Sequence, residues 1–116
     1  MDTKKIQALA DALWLEYCEI FPRLVRFDCP TITRNNRFTR TAGCCYQPDN
    51  RIDLGSKFFA KNERAMLTVI LPHELAHQID YDLNGDSEKK CGHGKAWCDI
   101  MLKIGLPANP YHSLEI

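Results

Sequence analysis

Between residues 3 and 20 the apolar side chains Ile6, Leu9, Ala10, Leu13, Trp14 and Tyr17 recur at steps of three and four, the spacing that lines one face of a helix. Asp2 or Thr3 stands where it can cap the first turn, and Pro22 ends the pattern just after Phe21. The texture then changes. From about 24 to 54, β-branched and aromatic residues are interrupted by Asp28-Cys29-Pro30, Asn35-Asn36, Ala42-Gly43 and Pro48-Asp49-Asn50, which read as turns between short strands. Asn62 reads as the cap of a second helix with Ala65, Met66, Val69, Ile70, Leu75, Ala76 and Ile79 as core positions, ending near Asn84-Gly85. Pro72 lies inside that helix, removes one backbone donor and predicts a kink. A third helix, roughly 94 to 104, presents Trp97, Ile100, Met101 and Ile104 before Gly105 stops it, and the residues beyond, with Pro107 and Pro110, predict an extended tail. The expected fold class is α+β: a small antiparallel sheet packed with an N-terminal helix and two further helices.

Composition narrows the class. The chain has 116 residues, 45% hydrophobic and 26% charged, enough for one core and not for two, so a single domain over 1–116 is expected. No stretch nears the roughly 18 uninterrupted apolar residues of a membrane span, and the first twenty residues are broken by Gln7, Asp11 and Glu16, so no export signal is read. A cytoplasmic, membrane-free monomer is the expectation. The six cysteines then read as reduced thiols, and the lack of any Cys-x-x-Cys pair excludes a zinc ribbon or finger built on that turn.

The chemistry centres on His73-Glu74-Leu75-Ala76-His77. Residues four apart share a helix face, so both imidazoles can reach one ion, while Glu74, one step round, can address a water on that ion. Catalytic zinc usually takes three protein ligands and leaves a position open, so a third is expected. His93 is the choice, because Gly92 and Gly94 let the backbone approach closely and the following helix fixes the side chain. His112 lies in the tail. An acidic ligand from Asp80, Asp82, Asp86 or Glu88 is the pattern of another zinc-protease class, in a run that reads here as a solvated turn.

At this point the sequence resembles the SprT-like (Spartan-type) zinc metalloproteases. The matching residues are Leu71-Pro72-His73-Glu74-Leu75-Ala76-His77, then Gly92-His93-Gly94-Lys95-Ala96-Trp97 opening a helix, and upstream Thr41-Ala42-Gly43 followed by the strand Arg51-Ile52-Asp53-Leu54. The resemblance covers about residues 38 to 105. It implies a zincin-like domain, one Zn2+ per chain on His73, His77 and His93, Glu74 as catalytic base, and cleavage of proteins bound or crosslinked to DNA. Read as a whole, the chain leaves no room after Gly105 for the C-terminal zinc ribbon many members add. Cys91, two positions from His93, reads as a small buried residue rather than an extra ligand. Tyr81, Tyr111 and Arg51 are candidates to stabilise an oxyanion.

The 15 basic and 15 acidic side chains cancel, which on its face argues against a nucleic-acid partner. Their distribution changes that. Residues 1–20 hold two basic and four acidic groups, residues 21–61 eight and three, and residues 62–116 five and eight, so the middle segment carries +5 between ends of −2 and −3. Arg23, Arg26, Arg34, Arg37, Arg40, Arg51, Lys57 and Lys61 lie there among Phe27, Phe38 and Tyr46. Arginine with aromatics suits single-stranded DNA through phosphate pairing and base stacking, with Arg34, Arg37 and Arg40 as candidate contacts; a solvated sheet face is the alternative. The functional expectation is a zinc endopeptidase acting on a protein substrate. The alternative is a catalytically silent, zinc-stabilised DNA- or protein-binding module.

Overall fold

The computed structural model describes residues 2–85, 93–109 and 114–115. Helix α1 spans Thr3–Ile20, with the Asp2 carboxylate accepting from the Lys5 N–H at 2.9 Å. Its apolar stripe buries Ile6, Ala10, Trp14 and Tyr17, while Leu9 and Leu13 sit at the margin of the core. A short 3-10 turn, Pro22–Arg26, redirects the chain, and Trp14 Nε1–H ties it down by donating to the Phe27 carbonyl at 3.0 Å.

Three strands follow: β1 (Thr31–Asn35), β2 (Gly43–Tyr46) and β3 (Arg51–Gly55), in the order β1-β3-β2. The α+β class is as expected, but the sheet is mixed rather than antiparallel. β2 pairs antiparallel with β3, whereas β1 pairs parallel with it, Ile32 opposite Ile52 and Thr33 opposite Asp53. Two chain reversals separate β1 from β3, so the two run the same way, and they become neighbours because β3 is the strand buried along most of its length. Ile32, Ile52 and Cys45 share one register row toward the core. Asp53, on the opposite row, is 7% exposed and is held by the Thr33 hydroxyl and by Asn35 Nδ2 at 3.1 Å. Arg51 Nε adds an ionic contact at 3.3 Å, off the hydrogen-bond direction.

The second helical region differs from the sequence reading at two points. Helix α2 begins at Phe59, not at Asn62, and runs to Ala65; Asn62 lies within it at φ −137°, ψ 29° and its amide donates to the Phe58 carbonyl at 3.0 Å. Asn62 therefore interrupts the helix rather than capping it. Met66–Ile70 then forms a π-helical turn, in which the Leu71 N–H reaches the Met66 carbonyl five residues back, before α3 takes over from Leu71 to Asn84. Pro72 explains the wide turn: its ring has no N–H and crowds the carbonyl four residues earlier, and adding a residue to the turn relieves both. The same turn corrects the expectation for Val69, which is 45% exposed. Rotation per residue falls below the α-helical 100°, so Met66 and Leu71 both face the core and Val69 is carried outward. The Gly85 N–H closes α3 onto the Tyr81 carbonyl at 2.8 Å with φ 74°, a conformation glycine adopts without a Cβ clash. Helix α4 is Lys95–Lys103 and buries Trp97, Ile100 and Met101. No helix among the described residues is long and apolar enough to cross a membrane.

Gln7 joins α1 to the sheet edge: its Oε1 accepts from the Ile32 N–H at 2.7 Å and its Nε2 donates to the Pro30 carbonyl at 3.0 Å. Gln7→Leu leaves the buried Ile32 N–H without that acceptor and is expected to lower the unfolding free energy by about 1–3 kcal/mol. Urea denaturation of the two proteins measures it, and a loss under about 0.5 kcal/mol would show that the edge does not depend on Gln7.

Candidate metal centre

Helix α3 supplies two of the three histidines because His73 and His77 are one turn apart on it. The third, His93, precedes α4, whose first turn follows directly after Gly94. The structure brings all three together. His73 Nε2 lies 3.2 Å from His93 Nε2 and 3.3 Å from His77 Nε2, and His77 Nε2 lies 3.0 Å from His93 Nε2. A zinc ion with tetrahedral ligands at 2.0–2.1 Å separates its nitrogens by about 3.3 Å, close to these spacings. The donor chemistry fits as well. A proton shared between two ring nitrogens leaves the third lone pair directed at its neighbours, whereas a central cation satisfies all three. The triad is thus placed to hold a metal ion. His77 is buried; His73 and His93 are half-buried, so the site is reached from the surface.

Glu74 points to the sheet side of α3. Its Oε2 lies 3.8 Å from His73 Nε2, and the side chain is nearly buried. Burial pushes its carboxyl up to about 8 in the absence of a cation, and a cation nearby acts in the opposite direction. Burial likewise lowers the affinity of His93 for a proton. Strand β2 comes against Glu74 at Gly43, where an added Cβ would meet Glu74 Cγ and Ile70 Cγ2 at 3.0 Å. Only a glycine lets strand and helix approach this closely, which gives Thr41-Ala42-Gly43 a physical reason.

Two residues tie the metal helix to the sheet that sequence reasoning did not single out. Gln47 Nε2 donates to the His77 carbonyl at 2.9 Å. Gln78, 1% exposed, donates through Nε2 to the Gln47 carbonyl at 3.2 Å and to Asp82 Oδ1 at 2.9 Å, and its Oε1 lies 3.4 Å from Cys45 Sγ. A polar residue at a core position of α3 was the signal available for Gln78.

Other candidates fall elsewhere. Asp82 bonds Gln78, Asp80 bonds Asn84, and neither joins the triad. Asp86, Glu88, Cys91, Tyr111 and His112 lie outside the described residues. Arg51 sits on the sheet with its guanidinium 4.3 Å from the Tyr46 ring centroid. Arg34 is half-buried: its Nε donates to Ser56 Oγ at 3.2 Å, Nη2 to the Ser56 carbonyl at 3.3 Å, and its guanidinium lies 4.6 Å from the Phe59 ring centroid. Arg37 and Arg40 are exposed.

The fold is an α+β domain with three convergent imidazoles, two of them on one helix, that could hold a metal ion beside a buried glutamate. The SprT-like family model matches residues 11–113, and the chain belongs to the SprT-like family. Among curated proteins it is similar to Protein SprT of Vibrio atlanticus (strain LGP32), 40% identical over 91 residues, which are 78% of this chain and 52% of that protein. Protein SprT of Vibrio parahaemolyticus is 37% identical over 91 residues, 78% and 53% of the two chains, and that of Glaesserella parasuis 33% identical over 91 residues, 78% and 56%. The chain spans about half the length of the curated relatives it matches. No solved structure gives a significant match.

Removing one ligand tests the centre. His93→Ala is expected to weaken zinc binding at least ~100-fold in a chelator competition and to abolish the rise in melting temperature that zinc gives the unaltered protein. Equal zinc affinity in the two proteins would remove His93 from the site.

Proposed function

We propose that the protein is a zinc-dependent endopeptidase of the SprT-like type, with Zn2+ held one per chain by His73, His77 and His93 and Glu74 as general base. The observation that supports it best is the placement of Glu74 Oε2 3.8 Å from His73 Nε2, beside the triad but on the sheet side of it. A zinc ion held only for structure has no use for a carboxylate there. Zinc bound to the triad supplies a Lewis acid, which acidifies water and polarises a peptide carbonyl. The chain's own residues do the rest. Glu74 takes one proton from the attacking water at Oε2, the water oxygen bonds to the carbonyl carbon, and Glu74 returns the proton to the leaving amine as the C–N bond breaks. Gly43 leaves Glu74 the space that any side chain at that point of β2 would take, and the low exposure of the acid limits competing solvent.

The substrate in this reading is a protein held on DNA, and the domain works as a cytoplasmic monomer. The exposed pair Arg37 and Arg40 supports a single-stranded DNA contact. Arg34 contributes less to such a contact than its position in the basic segment implies, because its guanidinium is committed to Ser56 and Phe59.

Glu74→Gln is expected to retain one zinc per chain and to lose about 100- to 10,000-fold in protein hydrolysis. Full activity in that variant would sink the assignment of the base, and zinc uptake without hydrolysis by the unaltered protein would favour the binding-module reading. For the DNA contact, affinity for a single-stranded oligonucleotide should fall steeply with salt. Replacing both Arg37 and Arg40 by Ala should flatten the log–log slope by about 1.4, roughly 0.7 for each phosphate that is no longer neutralised. An unchanged slope places the DNA contact elsewhere.

A further inference from the structure

Trp97 is fully buried, and three of its neighbours are the candidate metal ligands. Its ring centroid lies 4.8 Å from that of His73, 5.3 Å from His77 and 4.7 Å from His93. The imidazole centroids are themselves 5.0, 5.2 and 4.6 Å apart. Four rings at nearly equal separations form a tetrahedron, so the indole sits close to the axis that passes through the middle of the triad. The indole thus covers one side of the imidazole triangle and leaves the other as the side from which a fourth ligand would approach.

The chain makes this contact in a definite way. Trp97 is the third residue of α4, four positions after His93, so the turn that delivers His93 also delivers the indole. The indole then crosses to α3, where its Nε1–H points at the His73 carbonyl at 3.4 Å, and it lies nearly parallel to the His77 ring, at 18°. An ordinary core tryptophan packs on aliphatic side chains; this one touches every ligand and both ligand-bearing segments.

We infer that Trp97 is a positioning residue for the metal, a floor beneath the three imidazoles that sets their rotamers, raises affinity for the ion and confines the exchangeable coordination position to the opposite face. This rests on the metal site proposed above and goes beyond it, because it assigns the direction of the open position and a part of the affinity to a residue that donates no ligand atom. Outer partners of metal ligands commonly contribute 10- to 100-fold in affinity. An aromatic floor does so by holding the rings still rather than by hydrogen-bonding their free nitrogens.

Cobalt(II) is the probe, since its visible absorption reports coordination geometry without any assay of hydrolysis. Trp97→Leu is expected to bind cobalt about 10- to 100-fold more weakly, with altered band positions and intensity, and Trp97→Phe, which keeps a ring, to recover most of the affinity. A folded Trp97→Leu, by circular dichroism, with unchanged affinity and spectrum overturns the inference. Should Trp97→Leu fail to fold, Trp97→Met, which fills the space without a ring, takes its place: weaker cobalt binding with a displaced spectrum supports the floor, and unchanged affinity and spectrum overturn it. If the unaltered protein takes up no cobalt, the metal reading falls along with the role of Trp97; if all variants take it up equally, only the latter falls.

Discussion

Three nitrogen lone pairs held 3.0–3.3 Å apart are the constraint around which this domain is organised. Left alone, neutral imidazoles at that spacing turn away from one another, so the surrounding chain must hold them in place. It does so from several directions. The four-residue step on α3 fixes two rings, the start of α4 fixes the third, Trp97 underlies all of them, and Gln47 holds the His77 carbonyl from the sheet side. A cation bound among the three rings would satisfy all three lone pairs and would link folding to its uptake, because the unfolded chain offers no such triad.

Much of this was legible in the sequence, and the reasons are local. Helix α1 follows from a 3.6-residue period and an Asp cap, and the histidine pair from a spacing that is meaningful only on a helix. His93 was legible because its flanking glycines and the helix after it form a recognisable unit. What the sequence hid depends on distant partners. Turn residues mark where the chain reverses, yet they do not say which strand sits in the middle, so the parallel pairing of Ile32 with Ile52 was missed. Val69 matched a regular helical period and was misassigned because Pro72 widens the turn before it. Gln47 and Gln78 meet across thirty-one residues, and no short window shows that.

The charged residues make the same point about counting. Eight basic groups between residues 21 and 61 describe a segment, not a surface. Once folded, Arg34 caps the Phe59 ring and Arg51 stacks on Tyr46 while meeting Asp53, so both serve the internal order of the sheet. Arg37 and Arg40, in the β1–β2 connection, remain at the surface. Net charge by segment sets an upper bound on an electrostatic footprint, and side-chain packing reduces it.

The π-helical turn at Met66–Ile70 has a mechanical side. Because Pro72 offers no N–H, the helical hydrogen-bond chain is interrupted where the turn meets α3, and the widened turn gives slack between the two helices. The backbone of α2 already departs from regularity at Asn62, so α2 and α3 are not one continuous α-helical rod. Helix α3 begins its own phase at Leu71, and the direction in which its two histidines point does not follow from the period of α2. The turn works as a phase shifter, aiming the histidine pair independently of the helix that precedes it.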